Sequence, residues 1–282
     1  MATIHSLPQE LLDLIIDAAY ASDSIIPSKS LAAVSKAWRP RSQSNTFRNL
    51  SLNCDKMRRV QSEFISVSEA TRNASRQRLP IVFAYVRELH VAAFQVTSPE
   101  DDGAYLRTLL LFTNVTSLRI LDWDFRRFSA RDVTRFLGHF GATVRTLKLH
   151  ECYVDSEVLI FLTSLFPLTD NLEVDPRYPC RAATYKIKSS DRPSKNVGLR
   201  GNLILKFLSA QHEEFLAFVG EHSPDVRSIS AGLCASQGEL QRLFERQGSR
   251  LSSASVYSLW RQGKFIPARH CVSPPHCMSI TP

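Results

Sequence analysis

Beyond about residue 80 the chain repeats one short pattern, apolar-x-x-Leu-x-apolar. Val86-Arg-Glu-Leu89-His-Val91, Val115-Thr-Ser-Leu118-Arg-Ile120 and Val144-Arg-Thr-Leu147-Lys-Leu149 carry it in full. Leu172-Glu173-Val174, Leu203-Ile204-Leu205, Val226-Arg-Ser-Ile229 and Leu251-Ser-Ser-Ala254-Ser-Val256 are weaker copies. Apolar residues alternating with polar ones across each copy predict a short strand. The central positions 89, 118, 147, 172, 203, 229 and 254 lie 29, 29, 25, 31, 26 and 25 residues apart.

The spacers predict helices. Ser129-Ala-Arg-Asp132 precedes Val133, Phe136, Leu137 and Phe140 at helical spacing, with Gly141 at the stop. Asp155 or Ser156 caps a segment from Val158 to Phe166 that Pro167 ends. Ser209 precedes Phe215, Leu216 and Val219, and Ser236-x-x-Glu239 forms a capping box before Leu240, Leu243 and Phe244. Strand, turn, capped amphipathic helix and strand again, at a period near that of leucine-rich repeats, predict an α/β solenoid over 86–260. A doubly wound sheet shares the alternation of strands and helices, but it does not need one strand motif seven times. Residues 176–200, with three prolines and little periodicity, read as a loop insertion. Residues 261–282 read as an irregular tail.

In such an array the strands line a concave face. Its exposed positions are Arg87, Glu88, His90, Thr116, Ser117, Arg119, Arg145, Thr146, Lys148 and His150, a mixed and mostly basic set. Two readings fit: a solvated sheet face, or a docking surface for an acidic or phosphorylated protein segment. Under the second reading the candidate substrate face is Arg87, His90, Arg119, Arg145, Lys148 and His150.

The first fifty residues follow a different rhythm. Ser6, Pro8 and Glu10 suit a helix start, and Leu11, Leu12, Leu14, Ile15 and Ile16 crowd the helix that follows. Asp13 and Asp17 form its polar strip, so a helix this apolar needs cover on two sides. Ser22–Ser28 reads as a turn. A second helix is predicted from about Lys29 through Leu31, Ala32 and Val34 to Trp38, with Pro40 as its stop. Thr46 to Leu52 closes the module. Three short helices bury little by themselves. Both a partner-dependent module and a helix packed on the rest of the chain satisfy the pattern.

Leu7-Pro8-x-Glu10-Leu11-x-x-x-Ile15-Ile16, then Leu31-x-x-Val34-Ser35-Lys36-x-Trp38, then Phe47-Arg48-x-Leu50, resembles an F-box of the form found in fungal F-box proteins. The resemblance covers roughly residues 4 to 50, and it departs at Ile25-Ile26, where a more polar turn is common. It implies docking to a Skp-type adaptor and, through it, to a cullin ligase. Leu7 and Pro8 would enter the adaptor's groove, with Leu11, Ile15, Val34 and Trp38 on or behind the contact face. The expected organisation is α/β overall: an F-box-like helical module (1–52), a basic helical linker (53–85), and the leucine-rich-repeat-like solenoid. The expected function is substrate recognition for an SCF-type ubiquitin ligase. A non-ligase interaction scaffold and a basic nucleic-acid binder are the alternatives.

The net charge of +8 over 282 residues raises the nucleic-acid reading. Yet Lys56, Arg58, Arg59, Arg72, Arg76 and Arg78 are interrupted by Glu63 and Glu69, without aromatic interleaving. They read as a solvated linker helix. The N-terminus lacks the pattern of a secretory signal, and the longest apolar runs are far short of a membrane span. The six cysteines have no CxxC spacing and read as reduced thiols of a cytosolic or nuclear protein. No phosphate-binding loop, HExxH or GxSxG occurs. His150-Glu151-Cys152 places a thiol and an imidazole on one face of a strand end without a third orienting group. Asp122-Trp123-Asp124 reads as a turn, and the tail's His270-Cys271 and His276-Cys277 as no metal site. No catalysis and no cofactor are expected.

Overall fold

A computed structural model describes residues 7–21, 33–52, 82–92, 109–177, 187, 199–208, 212–233 and 237–258. The linker through residue 81, most of the 176–200 segment and the whole 261–282 tail lie outside them.

Eight strands form one parallel sheet: β1 (Asn49–Leu52), β2 (Glu88–Ala92), β3 (Ser117–Leu121), β4 (Thr146–Cys152), β5 (Asn171–Pro176), β6 (Arg200–Leu208), β7 (Asp225–Leu233) and β8 (Ser253–Ser258). They lie side by side in chain order, without the reversal that defines a doubly wound sheet. Seven α-helices appear among the described residues: α1 (Gln9–Ala21), α2 (Arg39–Thr46), α3 (Val82–Tyr85), α4 (Ala130–Leu137), α5 (Ser156–Leu165), α6 (Glu213–His222) and α7 (Gln237–Gln247).

The seven central positions read from the sequence fall in one row. Leu89 pairs with Leu118, and the register continues through Leu147, Leu172, Leu203 and Ile229 to Ala254. All but Ala254 are buried, and each buried leucine of this kind contributes about 1.5–3 kcal/mol. The row also extends one strand further than the repeat pattern reached, since Leu50 pairs with Leu89. β1 therefore belongs to the sheet, although it lies inside the stretch read as the helical module. Phe47-Arg48-Asn49-Leu50-Ser51-Leu52 in fact fits the apolar-x-x-Leu-x-apolar pattern, with phenylalanine at the leading position.

At the sheet's leading edge, carbonyls bind the strands in series. The carbonyl of Arg48 accepts from Arg87 and Glu88, that of Arg87 from Thr116 and Ser117, that of Thr116 from Arg145 and Thr146, and that of Arg145 from Asp170 and Asn171. The helices fill the opposite requirement, covering the apolar face in one continuous core. α4 begins with a capping box between Ser129 and Asp132, and α5 with the Asp155 carboxylate accepting from the Val158 N–H at 2.9 Å. Every residue of α5 except Glu157 is buried, so its hydroxyls must find partners inside. Thr163 and Ser164 donate to the carbonyls of Leu159 and Ile160, while Ser156 Oγ accepts from the Phe215 N–H in α6. α6 starts after His212; Ser209 and Ser236, the caps read from the sequence, lie outside the described residues.

α1 and α2 close a smaller core of Leu12, Ile16 and Trp38. Asp17 clamps the pair, accepting from Arg41 and from Asn45 Nδ2 (2.8 Å). The Tyr20 hydroxyl donates to the Ser42 carbonyl at 2.9 Å. Pro40 does not end a helix, as its sequence context suggested; it sits in the first turn of α2, where its missing N–H is harmless.

Candidate functional site

Among the described residues two unlike surfaces are left without cover, an apolar stripe on α1 and the polar face of the sheet.

On α1, Leu12 and Ile16 turn inward, so the residues beside them turn outward. Leu11, Leu14 and Ile15 are 46%, 64% and 42% exposed, and Val34 is 55% exposed. Among the described residues nothing covers them. Leu7 is half-buried against the Leu12–Ile16–Trp38 core, while Pro8 is exposed and its carbonyl accepts from Leu11 and Leu12. Trp38 is buried behind the stripe. Leu14 is the most exposed large apolar residue of the group, yet the motif reading did not select it. Periodicity shows that such a helix is apolar nearly all round; only the position of Trp38 decides which side is spoken for.

The uncovered sheet face follows from strand alternation. His90, Arg119 and Lys148 stand side by side on β2, β3 and β4, with Glu173 next on β5. His150 pairs with Asp175 one pleat further along. Of the six candidate substrate-face residues the structure thus gathers four. Arg87 and Arg145 do not join them: each precedes its strand by one residue, on the opposite parity. Their guanidiniums reach the neighbouring loop carbonyls of Asn114 (3.2 Å) and Leu168 (3.4 Å).

The face is also less basic than its first three strands suggest. Lys206 Nζ lies 2.7 Å from Glu173 and 3.7 Å from Asp175, and Lys148 Nζ lies 3.4 Å from Glu173. Glu88, Glu173 and Asp175 offset Arg119, Lys148 and Lys206. Glu173 and Asp175 had the same alternation signal as Lys148 and His150, at a weaker repeat copy. Beyond them the face turns neutral, with Asn202 Nδ2 donating to Asn171 Oδ1 and serine pairs joining Ser253 to Ser228 and Ser255 to Ser230.

No protein-family model matches this chain, and no curated protein matches its sequence.

The residues weighed for chemistry are committed elsewhere. Glu151 adopts a positive φ of 53°, and the register shifts between His150 and Cys152. This bulge turns Cys152 into the core, so it does not share a face with His150 as strand alternation had implied. Burial pushes the thiol up to about 12, which removes its nucleophilic form at neutral pH. Asp124 accepts from the Arg126 guanidinium and caps a short 3-10 helix over Phe125–Arg127; Asp122 pairs with Arg177. Both arginines lie against the Tyr153 ring, making this a turn clamp, with Trp123 packed between Phe125 and Phe128. Among the described residues no group of His, Cys, Asp and Glu is arranged to hold a metal. The paired cysteines and histidines of the tail lie outside them. No helix among the described residues is long and apolar enough to cross a membrane.

Three histidines share one tendency. Burial holds His90, His139 and His150 below the ordinary imidazole value of 6.5, and the Arg119 charge adds to it at His90 and His150. Glu173 goes the other way: burial pushes its carboxyl up, but Lys206, His150 and Lys148 outweigh that and hold it low. A folded-state imidazole held low binds fewer protons than the unfolded one, so stability is lost as pH falls below about 6.5. Urea midpoints should therefore already decline between about pH 7 and 5.5, above the range where carboxylates titrate. A flat midpoint across that interval would show that the imidazoles are not held neutral.

Proposed function

We propose that this chain is a substrate receptor for an SCF-type ubiquitin ligase. An F-box-like helical module, carrying α1 and α2, docks a Skp-type adaptor, and a leucine-rich-repeat-like solenoid built on the sheet presents a protein substrate. The observation that carries the reading is the stripe of Leu11, Leu14, Ile15 and Val34. Leu12, Ile16 and Trp38 already seal the inner side of the helix, and among the described residues Leu11, Leu14 and Ile15 on its other sides, and Val34 beyond it, are left uncovered. Water contact costs them free energy that a partner's groove would return. The sequence resemblance names the adaptor class, with Leu7 and Pro8 at the groove and Trp38 as the support behind it.

The sheet supports the second half of the reading through its order. Sequential parallel strands, with helices packed on the apolar face and polar side chains on the other among the described residues, suit a surface that selects a ligand while the scaffold stays constant. The chain would transfer no ubiquitin itself; it would hold a lysine-bearing target near a charged conjugating enzyme, a proximity effect. The nucleic-acid reading is weakened by Glu173 and Asp175, which interrupt the cations across the face. A scaffold outside any ligase keeps the same fold and lacks the adaptor contact.

Pull-down of a purified Skp-type adaptor separates these readings. Leu11→Glu/Ile15→Glu is expected to lower recovery at least about tenfold, because two apolar contacts worth about 1 kcal/mol each become buried charges. Leu7→Ala/Pro8→Ala should weaken it as well. The thermal midpoint of Leu11→Glu/Ile15→Glu should stay near that of the parent chain, since both side chains face solvent. Equal recovery from parent and variants would remove the ligase reading and leave the scaffold.

A further inference from the structure

The open face treats its cations unequally. Glu173 and Asp175 are drawn toward Lys206, and Lys148 leans onto Glu173 from the other side. Glu88, on the strand beyond, lies 4.0 Å from Arg48. Arg119 sits between His90 and Lys148 in the register with nothing of the kind. Its Nε is buried without an acceptor, and no carboxylate approaches its guanidinium within ion-pairing distance among the described residues. A buried donor on a charged group ordinarily has a partner, and its absence is costly.

Three donors therefore stand in one row across adjacent strands, about 5 Å apart: an imidazole, a planar guanidinium and an ammonium. The row matches the several oxygens of a phosphate better than the two of a carboxylate, and the guanidinium fork suits it most closely. We propose that Arg119, flanked by His90 and Lys148, anchors a site for the phosphate group of a phosphorylated serine or threonine in an extended substrate segment. This rests on the open face being the substrate surface. The surroundings favour one dianion over a polyanion: Glu173 and Asp175 repel a continuing phosphate backbone. No Phe, Tyr or Trp stands on the described open-face positions from β2 to β6 to stack a base. Past the acidic strand, Asn202, Ser228, Ser230, Ser253 and Ser255 offer neutral hydrogen-bonding groups to the rest of an extended segment.

The imidazoles make such a site sensitive to protons. His90 faces Glu88 on its own strand, neutral Ser51 on β1, Arg119 on β3 and Lys148 beyond it; His150 faces Arg119, Glu173, Asp175 and Lys206. An anion over Arg119 cancels the charge that helps to keep both rings neutral, so binding takes up protons. For a dianion that does not itself titrate, such as sulfate, affinity then rises as pH falls below about 6.5, at most about tenfold per pH unit for each imidazole that gains a proton.

The first test follows the histidine Cε1–H resonances of the full chain by NMR through a pH titration, with sulfate replacing chloride at constant ionic strength. Sulfate is a dianion that does not itself titrate in this range. The expected result is an upward move of the His90 and His150 midpoints with sulfate. In Arg119→Gln the midpoints should already be higher without it and should not respond. Arg119→Lys should keep the low midpoints and respond more weakly. No response in the parent chain, or the same response in Arg119→Gln, would overturn the site.

The second test compares capped phosphothreonine, capped glutamate and a short oligothymidylate. Phosphothreonine should bind at least about tenfold tighter than glutamate and lose that margin in Arg119→Gln. An oligothymidylate that binds as tightly as phosphothreonine and depends equally on Arg119 would make this a nucleic-acid face instead. No adaptor enters either test, so failure here leaves the adaptor pull-down interpretable, and failure there leaves these titrations interpretable.

Discussion

Gly201→Ala should cost more than about 3 kcal/mol and is expected to loosen the join between β5 and β6. Gly201 opens β6 with a φ of +67°, a conformation that side-chain-bearing residues adopt at a cost. A Cβ placed there would stand 2.3 Å from the Asp170 carbonyl oxygen and 3.2 Å from its carbon. That oxygen is not free to retreat, because it accepts from the Asn202 N–H at 2.7 Å. Backbone must therefore meet backbone, where no flexible side chain is available to give way. Gly138→Ala is the matched control: its φ is −61°, and its nearest contacts, Leu165 Cδ1 and Thr134 Cγ2, are at an ordinary 3.5 Å. Urea denaturation of both variants checks the contrast. Similar midpoints for the two would mean that the chain does not make this turn.

Leu118→Ala and Arg119→Ala, neighbours in sequence, should differ by several kcal/mol in stability. Leu118 is fully buried in the central row between Leu89 and Leu147, so truncation leaves a cavity costing about 2–5 kcal/mol. Arg119 faces away from that core. Its removal relieves an unpartnered donor and the repulsion between Arg119 and Lys148, so stability should hold or rise slightly. Equal losses would place both residues on covered faces and contradict the one-sided sheet. The same pair separates scaffold from site, since the stable variant is the one expected to lose sulfate.

The sheet was legible because its repeat is redundant. Seven copies of one alternation predicted a row, and Leu89, Leu118, Leu147, Leu172, Leu203, Ile229 and Ala254 occupy it. Capping at Ser129 was equally plain, and of the two caps open for the next helix, Asp155 and Ser156, the structure uses Asp155. What failed depended on one residue's backbone state or on distance in the chain. Glu151 in the left-handed region reversed Cys152, and alternation carries no sign of such a bulge. Asn49–Leu52 joins the sheet across a long segment that separates it from β2. Pro40 suits both a helix stop and a helix start, and packing of α2 against α1 chose the start.

The candidate surfaces were half legible. Sequence pointed to the first helix and to the polar strand positions, but not to which side of either is free. Trp38, filling the space behind α1, exposes Leu14 as well as Leu11 and Ile15. Glu173, Asp175 and Lys206 come together only when two strands are laid in register, and their pairing is what leaves Arg119 alone.

Hydrogen–deuterium exchange of the chain with and without a purified Skp-type adaptor tests the docking surface most directly. Protection centred on Gln9–Ala21 and the segment around Val34, with the strands of the sheet unchanged, is the expected result. Unchanged exchange in α1 at adaptor concentrations that saturate known F-box proteins, or protection confined to the sheet, would contradict it.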